Sequence, residues 1–176
     1  DDSGIRVLGS HSKFRLPGSN PDEFPNVSGF DEEKYHVIPT RLLREMIRRT
    51  VFATDSETSR YALGGVLLEM DEERVTAVGT DGRRLARMEG SGEPVGGHQT
   101  SGMTTIVPTR AIQLIERALD EKEETVDVAT RSNDLLVRTS KAVIYSRLVE
   151  GRYPNWRQVF PKRDDAVQLD VTVGPV

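Results

Sequence analysis

The sequence predicts an α+β fold in which a β-α-β-β-β unit occurs twice, with two amphipathic helices on one face of antiparallel sheet. Three observations carry that prediction. The stretch HVIPTRLLREMIRRT (His36 to Thr50) superposes on TIVPTRAIQLIERAL (Thr105 to Leu119), so that Pro39, Thr40, Arg41 and Arg48 fall on Pro108, Thr109, Arg110 and Arg117 at a constant offset of 69 residues. Both stretches carry apolar residues at helical spacing, and each is followed by three strand-like runs. Self-similarity at a fixed spacing marks a duplicated supersecondary unit. Helices that bury an apolar stripe against a sheet must lie on one face of it.

Ahead of the first copy, Ile5 to Leu8 and Ser12 to Leu16 read as a short hairpin around Gly9 and Ser10. The Pro/Gly/Asn-rich run PGSNPDEFPNVSG that follows is loop chemistry. A segment of this size buries no core of its own, so residues 1–33 are assigned to the end of a preceding domain and its linker. Residues 34–162 are read as one complete domain. Tyr35 to Ile38 is a strand closed by Pro39, and Thr40 is placed to cap a helix running to about Ala53. Leu42, Leu43, Met46, Ile47 and Val51 form its apolar face, while Arg41, Arg44 and Arg48 fall on the other. Strands are expected at Tyr61 to Met70, Arg74 to Gly79 and Arg84 to Glu89, separated by the turn signals Asp71-Glu72-Glu73 and Asp81-Gly82.

A Gly-rich connector, Gly90 to Gly102, leads to the second copy. There a strand is expected at Met103 to Val107, with Thr109 as cap and a helix from Arg110 to about Glu121. Its apolar face is Ala111, Ile112, Ile115, Ala118 and Leu119, and strands follow at Thr125 to Thr130, Leu135 to Thr139 and Ala142 to Val149. Residues 163–176, with the alternation Val167, Leu169, Val171 and Val173, are read as the start of a following domain.

Composition excludes several kinds of chemistry. The chain has no cysteine, which removes thiol catalysis, disulfides and thiolate metal sites. His11, His36 and His98 sit in separate segments, so neither a metal site nor a catalytic triad takes shape, and no phosphate-cradling glycine motif is present. No cofactor, no metal and no catalytic residue is therefore expected. No apolar run reaches the ~18 residues that span a bilayer, and the N-terminus DDSGIRVLGS is not a signal peptide. These features are read as those of a cytoplasmic protein, and the lack of an initiator Met as that of a fragment.

The formal net charge of −4 argues against bulk attraction to nucleic acid, but the charge is uneven. Arg41, Arg44, Arg48 and Arg49 crowd one helix against Glu45 alone. Arg110, Gln113 and Arg117 repeat the first helix's i, i+3, i+7 positions, so two rows of guanidinium on one surface would suit a polyanion. No recognition-helix motif or aromatic ladder supplies base readout, so any DNA contact would be to phosphates and without sequence preference. Asp81 beside Arg83 and Arg84 is the one enzyme-like arrangement, and it lacks the oriented partner that a general base needs.

The segments RYALGGVLLEM, VTAVGTDGRRLA, IVPTRAIQLI and SRLVEGRYPNWRQVFP, in this order and spacing, resemble the middle domain of the bacterial replicative sliding clamp, the beta subunit of DNA polymerase III. FRLPGSNPDEFPNV resembles the end of that family's first domain, and the residues after Lys162 the opening of its third. The resemblance implies the DNA-clamp fold and a non-catalytic role in DNA replication. In that family two three-domain subunits join head to tail as a homodimeric ring around duplex DNA, with helices lining the hole, and tether the replicative polymerase. By that resemblance Arg41, Arg44, Arg48, Arg110 and Arg117 face DNA. A peptide pocket for the polymerase, the clamp loader and other motif-bearing proteins would include Leu63, Thr80, Gly82, Arg83, Arg84, Leu85, Pro154, Gln158 and Val159. Arg83 and Gln158 stand where family members often carry His and Arg. Such a fragment is not expected to close a ring by itself. The competing readings are a peptide-binding adaptor without DNA contact and a small enzyme built on Asp81.

Overall fold

In the computed structural model, the described residues are 4–18, 20, 29–55 and 62–159. The chain divides into two units, Asp1–Asp31 and Glu32–Val176. In the first, β1 (Ile5–Leu8) and β2 (Lys13–Leu16) pair as an antiparallel hairpin, closed by the Gly9 N–H donating to the Ser12 carbonyl at 2.8 Å. Its register sets Ile5 opposite Leu16 and Val7 opposite Phe14, gathering all four on one exposed face, since a two-stranded ribbon has no second layer of its own.

The second unit runs β3 (Tyr35–Pro39), α1 (Thr40–Thr50), a 3-10 turn (Val51–Ala53), β4 (Gly65–Asp71), β5 (Arg74–Thr80) and β6 (Leu85–Ser91). It continues with β7 (Glu93–Val95), β8 (Ile106–Pro108), α2 (Thr109–Ala118), β9 (Thr125–Thr130), β10 (Asp134–Arg138), β11 (Val143–Arg147) and a 3-10 turn (Trp156–Gln158). The duplicated order is as the sequence predicts. The strands form two antiparallel sheets, ordered β11-β10-β9-β3-β7 and β6-β5-β4-β8. Each sheet therefore takes a strand from the other copy: β3 pairs with β9, and β8 pairs with β4.

Alternation along the strands explains the layering. On one face of the second sheet, Val66, Leu68 and Met70 of β4 and Val75 and Ala77 of β5 join Leu43, Met46 and Ile47 of α1, Ile112 and Ile115 of α2, and Val126, Val128, Leu135 and Val137 of the other sheet in a single buried cluster. Both helices thus cover one core shared by both sheets. Gly79 marks a close approach: a Cβ there would lie 2.1 Å from the Thr50 carbonyl oxygen at the end of α1.

Several boundaries depart from expectation. β4 begins at Gly65, where pairing with Pro108 of β8 starts, and not at Tyr61, which lies outside the described residues. The connector contains β7, which pairs through Val95, Pro94 and Glu93 with Tyr35, His36 and Val37 of β3. The tail strand expected after residue 162 also lies outside the described residues. The threonine caps are corrected: Thr40 and Thr109 are the first helical residues, behind Pro39 and Pro108, and neither helix has a side-chain cap hydrogen bond. Thr109 Oγ1 instead donates to the Gly64 carbonyl at 3.0 Å, and the Thr40 N–H donates to Glu124 at 2.9 Å, so tertiary partners take over.

Candidate functional site

The face of the β6-β5-β4 sheet turned away from the helices carries Thr80 and Leu85, two of the residues that the resemblance assigns to a pocket. Strand register puts Leu67, Val78 and Arg87 in one row and Thr80 beside Leu85 in the next on that face. A second, smaller apolar cluster forms there from Ala62, Leu63, Leu67, Val78, Ile106, Tyr153 and Trp156, with Leu85 and Val149 packed against it. The Tyr153 hydroxyl donates to the Val78 carbonyl at 3.0 Å and ties the C-terminal segment across the sheet. Burial raises the phenol's pKa, keeping it a neutral donor.

Loop 80–84 is rigid for local reasons. The Asp81 carboxylate accepts the Arg83 and Arg84 backbone N–H groups through Oδ1 at 2.9 and 3.0 Å, and Arg84 Nε through Oδ2 at 3.0 Å. Thr80 Oγ1 donates to the Arg84 carbonyl at 2.7 Å and accepts the Gly82 N–H at 3.1 Å. Gly82, at φ +87°, supplies the left-handed residue that this turn needs. The two backbone N–H groups, aided by Arg84, hold the Asp81 carboxyl below the usual carboxylate range. A general base working near neutrality needs the opposite shift, so Asp81 serves as a loop anchor. The Arg84 guanidinium lies 5.9 Å from the Phe52 ring, an exposed aromatic that sequence reasoning did not mark.

Of the implied pocket residues, Leu63 and Thr80 are buried, Leu85 and Pro154 half-buried, and Gly82, Arg83, Arg84, Gln158 and Val159 exposed. The structure brings Leu63 and Leu85 into one cluster with Trp156 and places Pro154, Gln158 and Val159 on the segment that Trp156 anchors. Sequence reasoning did not group Trp156 with these residues, although an aromatic beside Pro154 after the last strand was the available signal.

The helices run antiparallel, because Arg44 near the start of α1 meets Leu119 and Glu121 past the end of α2, while Arg48 meets Glu116. Arg44 Nη2 donates to the Leu119 carbonyl at 2.5 Å and Nη1 to Glu121 at 2.9 Å, with only 13% of its side chain exposed. It joins the helices and caps α2. Arg48 is exposed and bound to Glu116 at 2.7 Å. Arg41, Arg110 and Arg117 are exposed and make no ion pair among the described residues. The five arginines are thus unequal: two join the helices and three project from them.

A β-α-β-β-β unit used twice, with strands exchanged between two antiparallel sheets and both helices over one shared core, is the fold of the DNA-clamp class, and here a small apolar cluster lies on its outward sheet face. Residues 37–155 match the family model for the DNA polymerase III beta subunit, central domain, and the chain belongs to that family. It is 31% identical to the beta sliding clamp of Halalkalibacterium halodurans over 162 residues, covering 92% of this chain and 42% of that protein. It is also 31% identical to the beta sliding clamp of Escherichia coli K12 over 159 residues, covering 90% of this chain and 42% of that protein. The crystal structure of the Pseudomonas aeruginosa sliding clamp bound to griselimycin superposes with a TM-score of 0.76 at 28% identity, covering 94% of this chain and 44% of that one. The chain therefore spans about two fifths of the length of these relatives.

Proposed function

We propose that the chain is the central part of a DNA sliding clamp, non-catalytic, which presents the exposed flank of α1 and α2 to duplex phosphates and receives partner peptides in the groove beside Leu85. Residues 34–162 would be the middle domain of a head-to-tail ring. The observation that carries the reading is the antiparallel helix pair: Arg41 and Arg110 at matching positions, and Arg117, project from the face opposite the core and make no ion pair among the described residues. Sparse guanidinium groups attract phosphate without pinning it, as sliding requires. The groove is the counterpart for proteins to be tethered, an apolar cleft with a fixed polar loop at its rim.

The test compares the 176-residue chain with an Arg41→Ala/Arg110→Ala/Arg117→Ala variant in fluorescence anisotropy with labelled duplex DNA across a salt series. The native chain should bind weakly, with affinity falling as salt rises, and the variant should show a shallower slope, by up to about 0.9 for each phosphate that is no longer neutralised. An unchanged slope would sink the assignment of these arginines. Groove binding with no DNA attraction in either protein would leave only the adaptor.

A further inference from the structure

A polar network lies behind the Pro154–Val159 segment. Glu69 of β4, Thr76 of β5 and Glu89 of β6 lie in register on the same sheet face as Leu85. Arg157 reaches this row and bonds Glu69 with both nitrogens, Nη1 to Oε1 at 3.0 Å and Nη2 to Oε2 at 2.7 Å. Its guanidinium carbon also lies 4.3 Å from the Trp156 ring centre, and that of Arg87 lies over the same ring at 5.2 Å while pairing with Glu89. Trp156 is therefore apolar partner to Leu63 and Leu85 on one side and lines, with Arg157, Glu69 and Arg87, a polar cleft of about 980 Å³ on the other. Bidentate geometry fixes direction as well as distance, and stacked guanidinium restricts the ring. The 3-10 turn that carries Gln158 is thereby held in place, with Pro154 just before it and Val159 just after it.

We propose that Glu69, Arg157, Trp156 and Arg87 form a brace that positions the Pro154–Val159 wall, so that Glu69 and Arg157 control the groove's affinity for peptide-like ligands as positioning residues. The inference rests on the reading of that groove as a ligand site, and its test separates the two. Griselimycin serves as probe for the 176-residue chain, with binding followed by calorimetry and by emission of the single tryptophan, Trp156. Leu85→Asp, inside the groove, should abolish binding. Glu69→Gln and Arg157→Gln should each weaken it by about threefold to tenfold, the range for a bidentate, partly shielded pair, with melting temperature near native and Trp156 emission shifted. The exchange Glu69→Arg/Arg157→Glu should recover most of the affinity, and Arg157→Lys only part. If Leu85→Asp binds griselimycin like the native chain, the groove reading falls and the brace with it. If Leu85→Asp abolishes binding while Glu69→Gln and Arg157→Gln bind at native strength, the brace alone is overturned. An exchanged variant that melts like the native chain yet stays weak also overturns it.

Discussion

His36 and His98 are joined by a 2.6 Å bond between their Nδ1 atoms, both rings being buried. The partners define the tautomers. His98 Nε2 accepts the Thr130 backbone N–H at 3.2 Å, so its proton sits on Nδ1 and is donated to His36 Nδ1. His36 Nε2–H then donates to the Glu72 carbonyl at 2.8 Å. A further proton on either ring would set N–H against N–H. The pair links β3 and the β4–β5 turn of the first copy to the connector and the end of β9.

Acid should therefore loosen the fold. Burial lowers both histidines, that of His98 to about 4 with a further contribution from His36, and outweighs the attraction of Asp71 and Glu32 for a proton. The unfolded chain takes up protons near 6.5, so between 6.5 and about 4 it binds more of them than the native state. Stability is full above this window and should decline through it as pH falls, by on the order of 3 kcal/mol for His98 alone. Urea titrations at several pH values measure it, and a His98→Asn variant should be less stable at pH 7 but flatter across the window.

Gly79→Ala should destabilise strongly, since its Cβ would lie 2.1 Å from a backbone oxygen of α1 that has no flexible end to give way. About 2 kcal/mol or more is expected, by the cost of overpacking. Gly64→Ala meets nothing within 4 Å and should stay within about 0.5 kcal/mol of native in the same denaturant experiment.

Arg44→Ala should cost about 1–3 kcal/mol, because it uncaps the Leu119 carbonyl and leaves Glu121 without its partner. Arg41→Ala, on an exposed face, should melt at the native temperature. An equal loss for both would contradict the division of the arginines into joining and projecting groups.

Tyr153→Phe should cost about 1 kcal/mol by stripping the Val78 carbonyl of its donor. In the native chain the Tyr153 phenol should resist ionisation in an ultraviolet titration until the fold opens.

The copies, their order and their inner faces were legible because period and offset are local properties of the chain. His36 illustrates the limit: it alternates in phase with buried Ile38, a signal for an inward ring, yet His98 as its partner depends on where a glycine-rich connector returns. β7 escaped because three residues around Pro94 carry too little pattern. Arg44 and Arg48 look alike in sequence, and only the antiparallel crossing of α2 decides that one is enclosed and the other open. Leu63 and Leu85 of the smaller apolar cluster were reached through the resemblance, whereas Glu69 and Arg157 meet through folding alone.

The exchange of β3 and β8 between the two sheets has a further consequence. Neither copy possesses a complete sheet, so the arrangement is that of a strand-swapped dimer whose subunits have been joined end to end. Pairings such as Pro39 with Thr125 are remote in sequence, which makes for slow, all-or-none assembly. Cutting the connector near Gly96-Gly97 would turn that internal assembly into an encounter between two polypeptides, with a rate that depends on their concentration.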